Sequence, residues 1–300
     1  MSLTSKFEQS DRALQRQQKE IERELIIAYS ITLKEIRGQL AEAYEKYGGS
    51  FVEMQKYNRL TTMERNIAKG IGKLTGKNAG TLKKGIGGAF KESYYRTGFT
   101  IETTAQAKLG FGQLSKKDVE ASIKNPLDRV GWLQRNRDNQ ALLTRQMKQQ
   151  LTQSLIQGES FEQASRRIKK RMDVGATNVV RIAQTEMHRA QAQGRLDGLQ
   201  QAASKGVIMT KRWVATLDGN TRPEHQDLDG VTIGLDENFV SGTGTGPAPG
   251  QLGTAEGDIN CRCSIISIIE GYEPEVRRAR GEGVIPYTNY TDWKKGRINK

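Results

Sequence analysis

Cysteine, histidine and aromatic residues are scarce in this chain. Its 300 residues include 2 cysteines, 2 histidines and 6% aromatic residues. Two cysteines exclude a disulfide-stapled scaffold, because such folds depend on several bridges. Apolar residues make up 35% of the chain, so we expect a real hydrophobic core, but not a single core over the whole length. The length favours two domains.

Long apolar runs are also missing from the sequence. The richest apolar stretch, residues 25–29, is short and bounded by charge, whereas a membrane-spanning helix needs about 20 apolar residues. Residues 1–6 do not begin the apolar segment that marks a secretory signal. These absences predict a soluble protein made in a reducing cytosol, without a membrane partner.

Proline does not occur in the first 125 residues, which permits long helices there. Apolar residues recur every three or four positions along one stripe, at Leu25, Tyr29, Leu33, Ile36, Leu40, Tyr44 and Tyr47. This spacing predicts a long amphipathic helix within residues 1–58, ended by Gly48 and Gly49. The stripe is explained either by packing on neighbouring helices or by an oligomeric coiled coil.

Positive charge is concentrated in two segments of a chain whose net charge is +13. Residues 59–100 hold nine basic residues against two acidic ones, and residues 277–300 hold seven against two. Both segments are either solvated and flexible, or in contact with DNA phosphate or an acidic protein surface. For the first segment, the candidate contacts with DNA or an acidic protein surface are Lys73, Lys77, Lys83 and Lys84.

Residues 59–125 combine this basic charge with glycine and helical character. Glycine is frequent between positions 70 and 88, which predicts flexible chain that a protease would cut early. Residues 126–206 then predict a compact helical unit, because three helical patterns follow one another with short connections.

The start of the second of these helices carries a specific signal. Ser160 and Gln163 form a predicted capping box that opens a helix to about Met172. A further helix is predicted over roughly 176–204, and Gly206 is expected to end it.

Beyond residue 206 the pattern changes from helical to alternating. Residues 212–217 and 263–269 predict strands, and residues 241–257, with six glycines and two prolines, predict a mobile loop. We therefore expect a small module over 207–272 and a basic C-terminal tail over 273–300. The predicted fold class is α+β: a mostly helical N-terminal two-thirds with long amphipathic helices, followed by a small α+β C-terminal module with short antiparallel strands.

Both cysteines and one histidine lie in this module and suggest a metal site. Cys261 and Cys263 are two positions apart at the start of a predicted strand, so their thiols point to one face. His225 lies on a short predicted helix, and Asp229 shares its face four residues on. Together with Asp229, or with Asp218 as the other nearby carboxylate, these groups would form a tetrahedral structural Zn²⁺ site.

Two alternatives to a metal site stay open for these residues. A disulfide between Cys261 and Cys263 would close a very small, strained ring. Both cysteines could instead be inert packed residues, with His225 hydrogen-bonded to backbone. Glu224 is adjacent to His225, but adjacency alone does not aim a carboxylate at metal-bound water, and the motif spacing of zinc deaminases is absent. No catalytic residue is assigned.

Glu186 lies in the middle of the last predicted helix, among small and apolar residues. A carboxylate that is partly buried there needs a partner. Arg222 and Arg262, both in the following module, are the candidate partners. The alternative is a solvated pair with Arg189, three residues further along the helix.

Several short motifs follow an order that resembles one protein family. They are Ala183-x-Thr185-Glu186, Trp213 before Asp218, Arg222-x-x-His225-x-x-Leu228-Asp229-Gly230, a glycine- and proline-rich loop, and Asn260-Cys261-Arg262-Cys263. Over about 140–270, the chain resembles the phage Mu F-like minor head proteins, also called the SPP1-type head morphogenesis family. One departure is Gln184, where the family usually has an arginine. The motif residues expected to be structural are Glu186, Trp213, Asp218, Arg222 and Arg262.

This resemblance implies a minor head protein of a tailed double-stranded DNA phage, acting in head morphogenesis and in genome packaging or delivery. It implies association with the portal protein, a place in the virion head near the portal, and the host cytoplasm during assembly. No established catalytic activity is implied. The long N-terminal stripe is then expected to bind the portal or neighbouring copies, and the basic segments are expected to face packaged DNA or the acidic portal interior.

Major capsid or scaffold protein is a further candidate partner, and self-association is a further expectation. Two other functions remain as alternatives. One is a Zn-dependent hydrolase or effector domain built on His225, Cys261 and Cys263. The other is a virion protein that binds DNA without sequence specificity.

Overall fold

Long helices build the N-terminal two-thirds of the chain. A computed structural model describes residues 3–124, 130–269, 276–279, 283–288 and 292. The helices are α1 (Leu3–Tyr47), α2 (Phe51–Gln55), α3 (Arg59–Ala105), α4 (Lys116–Lys124), α5 (Trp132–Ile156) and α6 (Phe161–Ala203), with a 3₁₀ turn at Lys56–Asn58. Within the described ranges, none of these helices has an apolar stretch long enough to cross a bilayer.

Short strands and two short helices follow α6. They are β1 (Met209–Val214), α7 (Pro223–Asp227), β2 (Thr232–Ile233), β3 (Phe239–Ser241), β4 (Gly244–Gly246), α8 (Ala255–Asp258), β5 (Ser264–Ile269), β6 (Val276–Ala279) and β7 (Gly283–Pro286). β1 lies between β2 and β5 in an antiparallel sheet, with Trp213 opposite Ile265. β3–β4 and β6–β7 are separate antiparallel pairs. This architecture confirms the predicted α+β class.

Local sequence signals end and begin the helices as predicted. Gly48 and Gly49 follow α1 with φ angles of 63° and 67°, and Gly158 follows α5 with a φ of 62°. Glycine is favoured at such left-handed positions because it has no Cβ. The capping box before α6 is present: the Ser160 N–H donates to Gln163 Oε1 at 2.9 Å, and the Gln163 N–H donates to Ser160 Oγ at 3.4 Å.

The chain divides into two compact units, each built from separate stretches. The first unit takes its described residues from 1–19, 84–131 and 184–300, and the second takes them from 20–83 and 132–183. The helices α1, α3 and α6 therefore contribute residues to both units. The sequence predicted successive segments along the chain, because a burial pattern shows which face of a helix is covered but not which segment covers it.

The N-terminal stripe is buried inside the second unit. Four of its members are at most 5% exposed: Leu25, Tyr29, Ile36 and Leu40. Asn139 of α5 donates hydrogen bonds from its side-chain amide to Tyr29 OH and to the carbonyl oxygen of Gly175 of α6, both at 3.0 Å. The stripe is thus explained by packing within the chain, and the expectation that it binds the portal or another copy is wrong because its residues are already covered.

The glycine-rich stretch 70–88 is helical rather than flexible. α3 runs unbroken through it, and Ile71, Leu82 and Ile86 are fully buried. Glycine costs a helix up to about 1 kcal/mol relative to alanine. Burial of a Leu or Ile side chain stabilises by roughly 1.5–3 kcal/mol, so the buried face outweighs the glycines.

A single helix, α6, stands where two were predicted between 160 and 204. The expected break after Met172 does not occur, and Gly175 is helical. A Cβ on Gly175 would lie 3.0 Å from a ring carbon of Tyr29 and 3.1 Å from a methyl carbon of Leu143. Glycine at this position therefore allows close packing and does not end the helix.

The segment 241–257 is folded, which corrects the prediction of a mobile loop. It contains β4 and most of α8, and Ala248 and Leu252 are buried. The carboxylate of Asp258 accepts hydrogen bonds from the N–H groups of Leu252 and Gly253 at 2.8 Å and 3.0 Å. Several of its glycines allow backbone segments to approach closely, so glycine content alone was misleading.

In the first unit, α6 packs closely against α3. A Cβ on Gly194 would lie only 2.2 Å from the carbonyl oxygen of Phe90, and a Cβ on Gly198 would lie 2.9 Å from Cβ of Thr97. The helices of this unit and the C-terminal sheet share one hydrophobic core. The buried members of this core include Phe7, Ile101, Leu196, Leu199, Trp213, Phe239, Leu252 and Ile265. This core fixes the sheet beside α6.

Part of the predicted basic tail is built into the fold. β6 and β7 pair antiparallel, and Arg277 is buried, so at that position the tail is not a solvated segment. Five of its basic residues lie outside the described residues: Arg280, Lys294, Lys295, Arg297 and Lys300.

Candidate metal centre

Two short segments of the first unit bring His225 and both cysteines together. His225 lies on α7, which begins at Pro223, a residue tolerated in the first turn of a helix. Cys261 and Cys263 precede β5, and the Cys261 N–H donates to the Asp258 carbonyl oxygen at 3.2 Å. The imidazole of His225 packs edge-on against the buried indole of Trp213, with ring centroids 5.4 Å apart.

The geometry of this cluster is convergent. His225 Nδ1 lies 3.7 Å from Cys261 Sγ and 3.4 Å from Cys263 Sγ. The three ligand atoms all lie within 4.8 Å of one another, and all three residues are buried. Both cysteines are free thiols, so the strained disulfide does not form.

The distances suit a metal ion better than hydrogen bonds alone. Zn–S bonds of about 2.3 Å and Zn–N bonds of about 2.0 Å at a tetrahedral angle separate S and N by about 3.5 Å. The observed values of 3.4 Å and 3.7 Å bracket that separation. One ring nitrogen cannot form two strong hydrogen bonds to two thiols at once, because the imidazole presents a single lone pair or a single N–H there.

The two thiols differ in their acidity. The pKa of Cys261 is lowered well below its ordinary value, chiefly by the hydrogen bond from Cys263, with hydrogen bonds from His188 and His225 adding to it. The pKa of Cys263 is raised well above its ordinary value, chiefly by its hydrogen bond to Cys261 and by burial. The cluster thus favours one thiolate beside one thiol, and a bound cation would favour two thiolates.

Asp229 is not brought into this cluster, which corrects its assignment as a metal ligand. Its carboxylate pairs with Arg277, at 2.8 Å and 3.1 Å, and accepts the Ala215 N–H at 2.7 Å. These contacts use the acceptor capacity that a ligand would need. The helical-face argument failed because α7 ends at Asp227, two residues before the aspartate.

Asp218 is also used elsewhere. It forms a two-pronged ion pair with Arg262, with Nη2–Oδ1 at 2.9 Å, and it accepts the Asn220 N–H at 3.0 Å. The pair secures the turn after β1 to the chain between the two cysteines. Arg262 thus helps to place both thiols without touching them.

Arg222 fixes the start of α7 from the same side. Its guanidinium donates to the carbonyl oxygens of Gly257, at 3.3 Å, and Ile259. These contacts tie the helix that carries His225 to the segment that leads into Cys261. Arg222 and Arg262 were both candidate partners for Glu186, but their guanidinium groups bond to this backbone and to Asp218.

Glu186 is buried, and its partner is Arg189. Arg189 Nε lies 2.9 Å from Glu186 Oε2, with the two side chains 2% and 0% exposed. Arg189 also donates to the Ser122 carbonyl oxygen of α4 at 2.7 Å. The predicted pairing is therefore present, but it is a buried structural pair rather than a solvated one.

His188 belongs to the surroundings of the cluster and was missed from the sequence. It lies on α6, and its imidazole is close enough to Cys261 to lower the pKa of that thiol through a hydrogen bond, after the larger effect of Cys263. Its Nε2 is buried and has no hydrogen-bond partner among the described residues. The number of possible ligands was the signal in the sequence. With 2 histidines and 2 cysteines in the chain, both histidines were equally good candidates as metal ligands.

The four candidate lysines of α3 are all exposed. Lys73 and Lys77 are one turn apart, and Lys83 and Lys84 follow further along the helix. Exposure permits contact with phosphate or an acidic surface.

Comparison with known proteins matches the sequence to a phage family. The family model described as Phage Mu protein F like protein matches residues 145–266. Minor head protein GP7 of Bacillus phage SPP1 is 34% identical over 283 residues, covering 91% of this chain and 92% of that protein. The chain belongs to the Mu F-like family of phage minor head proteins, and the resemblance drawn from its motifs is confirmed.

A second relative carries an enzyme name. NAD(+)--arginine ADP-ribosyltransferase EFV of Enterococcus faecalis (strain ATCC 700802 / V583) is 25% identical over 308 residues. The match covers 100% of this chain, but the chain spans only 62% of that protein's length. No solved structure matches the chain.

Proposed function

We propose that this protein is a structural component of the phage head that associates with the portal protein and acts in head morphogenesis and in genome packaging or delivery. The observation that carries the proposal is the 34% identity with a minor head protein over 91% of the chain. Its place is the virion head near the portal, after assembly in the host cytoplasm. Major capsid or scaffold protein and further copies of the chain are additional proposed contacts.

The proposed docking surface is an exposed apolar patch of α1. Ile26, Ile27 and Ile31 are each about half exposed, at 49%, 50% and 49%. They lie on the opposite side of the helix from the buried stripe and are bordered by the exposed residues Arg23 and Lys34. An apolar patch with a charged rim is typical of a protein interface.

Size exclusion of the purified protein with the portal protein of the same phage tests this proposal. Stoichiometric co-elution is expected, and the double variant Ile27→Glu/Ile31→Glu should abolish it. Val52→Glu is the matched control, because Val52 is an apolar residue of the same unit and is 65% exposed. Absence of co-elution with the unaltered chain, or equal loss in the control, would contradict docking through α1.

We also propose that packaged double-stranded DNA lies against the exposed lysines of α3. Lys73, Lys77, Lys83 and Lys84 would bind phosphate without reading sequence. The local positive charge of this helix supports the idea, because two acidic residues offset nine basic ones over 59–100.

His225, Cys261 and Cys263 are proposed to hold a structural Zn²⁺. The donor set, two sulfurs and one imidazole nitrogen at suitable separations, supports zinc over harder ions. Burial of all three residues supports a closed structural site. Elemental analysis of the native protein should give about one zinc per chain, which Cys261→Ser should remove.

The enzymatic alternatives receive less support. A hydrolytic zinc needs an open coordination position, whereas the two cysteines and His225 are at most 5% exposed. We propose that the transferase activity named for the second relative belongs to the part of that protein without a counterpart here, since the chain spans 62% of it. Transfer of ADP-ribose from NAD⁺ to an arginine-containing protein by the purified chain would overturn this.

A further inference from the structure

Both histidines and both cysteines of the chain lie in the first unit. Three of them form the cluster described above, and His188 of α6 lies beside Gly250, in the segment that Asp258 ties to Cys261 through Leu252. The first unit contains all four, so the convergence arises within a single compact body. A chance meeting is a poor explanation, because 2 histidines and 2 cysteines are the whole supply in 300 residues.

We propose that His188 is the fourth ligand of a Cys₂His₂ zinc site formed with His225, Cys261 and Cys263. This inference rests on the zinc proposal made above and specifies its coordination. A structural zinc site is closed by four protein ligands in a tetrahedron, commonly of this composition. The site would then have no position for a reactive water molecule.

The free ring nitrogen of His188 supports this role. Its Nε2 is buried without a hydrogen-bond partner among the residues that the structure describes. A buried polar atom left unpaired costs roughly 1–3 kcal/mol, and coordination to a metal would remove that cost. His225 Nδ1 faces the two sulfurs, so His225 already offers one nitrogen to this centre.

Gly250 leaves space beside His188. Its φ is 74°, and a Cβ built on it would lie 3.0 Å from Cδ2 of the imidazole. His188 does not belong to the set of ligand atoms that lie within 4.8 Å of one another. Zinc binding would therefore require the imidazole of His188 to move towards the cluster by rotation about its side-chain torsions.

The nearby carboxylates are already engaged, which leaves His188 as the best fourth ligand. Asp229 pairs with Arg277, and Asp218 pairs with Arg262. Asp258 accepts two backbone N–H groups at 2.8 Å and 3.0 Å. Each would have to give up a charged or backbone partner in order to bind zinc, whereas Nε2 of His188 gives up none.

Coordination by His188 would join three separate segments of the chain. His188 lies in α6, His225 in α7, and the two cysteines precede β5. The metal would therefore fasten the C-terminal sheet to the long helix, in addition to holding the sheet's own loops. This is a positioning role for zinc within the head protein and requires no turnover.

Isotope labelling of histidine tests the proposal on the unaltered chain. With 2 histidines present, the labelled protein gives two imidazole spin systems in heteronuclear NMR. After replacement of the metal by ¹¹³Cd²⁺, both imidazoles should show coupling between a ring nitrogen and cadmium. Coupling to His225 alone would overturn the assignment of His188 and leave a three-ligand site intact. Coupling to neither histidine would overturn both zinc proposals.

Variants of His188 provide an independent measurement on the full chain. His188→Ala should lower zinc affinity by more than the ~10–100-fold that loss of an outer partner costs. His188→Cys should restore binding with three sulfurs and one nitrogen in X-ray absorption, and this variant keeps the test valid if the alanine variant does not fold. Gln193→Ala, also on α6, is the control and should leave affinity unchanged.

The outcomes separate the different proposals. Full zinc affinity in a folded His188→Ala protein would refute the fourth ligand. Portal co-elution is measured separately, so a metal-free protein that still binds the portal would refute the zinc proposals while leaving the head function standing. A protein that binds zinc but does not bind the portal would refute the proposed head function and leave the zinc proposals standing.

Discussion

Arg277 and Asp229 form a buried ion pair, with Nη1 of the arginine 2.8 Å from Oδ2 of the aspartate and with side-chain exposures of 2% and 0%. Arg277 also donates to the Ala215 carbonyl oxygen at 2.8 Å. The pair connects the β6–β7 hairpin with the end of β1 and the residues after α7. It also explains why an aspartate beside the cysteine and histidine cluster serves the fold and not the metal.

Asp229→Asn should destabilise the protein strongly and leave metal binding intact. The substitution leaves a guanidinium buried without its counter-charge, which costs roughly 3–5 kcal/mol. Chemical denaturation gives the free energy of unfolding, and elemental analysis gives the zinc content. Asp173→Asn is the control, because Asp173 pairs with Lys169 on the surface and an exposed pair contributes only about 0–1 kcal/mol. Loss of zinc in a folded Asp229→Asn protein would return Asp229 to the ligand set.

Two glycine substitutions should have opposite effects. Gly194→Ala should destabilise by about 1–3 kcal/mol, because the new methyl group would meet the Phe90 carbonyl oxygen. Gly76→Ala should stabilise by about 0.5–1 kcal/mol, because the methyl group would meet nothing within 4 Å among the described residues and alanine favours the helix. Thermal and urea unfolding measure both. Equal effects at the two positions would mean that α3 and α6 do not approach as described.

Removal of four charges from α3 should weaken the salt dependence of DNA binding. The variant with Gln in place of Lys73, Lys77, Lys83 and Lys84 should reduce the slope of log K against log salt by up to about 4, roughly one for each phosphate that is no longer neutralised. Fluorescence anisotropy with duplexes of unrelated sequence measures the slope. An unchanged slope would exclude this helix from the DNA interface, and binding that ignores salt would exclude an electrostatic interaction.

Alkaline pH should destabilise the second unit through Tyr29. Burial raises the pKa of this phenol from 10.0 to about 12, against the opposing hydrogen bond from Asn139. The folded state therefore holds the proton more tightly than the unfolded state. The resulting stability is fully present below pH 10 and is lost as the pH rises towards about 12, by roughly 2–3 kcal/mol. Tyr29→Phe should flatten this part of the stability profile, and an unchanged profile would contradict the shift.

Chelation should open the C-terminal sheet while sparing the long helices. Without zinc, residues 241–257 should become the first sites of limited proteolysis, because metal binding and local folding are coupled. Residues 70–88 should resist cleavage with or without metal, since they lie in α3. Mass spectrometry of the fragments identifies the sites. Early cleavage within 70–88 would contradict the buried helix described for that segment.

The sequence predicted the parts of the fold that depend on neighbouring residues. The stripe of α1, the stop at Gly48 and the capping box at Ser160 are local signals, and the structure confirms them. Glycine misled the prediction in two segments: in 70–88 a buried helical face outweighs it, and in 241–257 the chain folds around it. Its role there is close approach between segments distant in sequence, which a local pattern cannot show.

The candidate site was predictable only where its residues lie close together in the sequence. Cys261 and Cys263 are close in sequence, and the module is small enough that His225 was a natural neighbour. Asp229 was assigned from helical spacing, but α7 ends before it. His188 lies 37 positions before His225 in another helix, so its approach depends on tertiary packing that composition can suggest but spacing cannot.

The ion pair between Asp11 and Arg195 joins positions 184 apart, and this separation has a consequence for synthesis on the ribosome. The second unit is complete once residue 183 has emerged, but the first unit needs β5, which ends at Ile269. At about 5–20 residues per second, the N-terminal turns of α1 wait roughly 10–50 s for their partners. During that time Phe7, which is buried in the core of the finished first unit, lacks the core residues of β1 and β5. Two chains made side by side can exchange this N-terminal segment, so translation at high local concentration favours a domain-swapped dimer. Refolding in dilute solution would prevent this exchange.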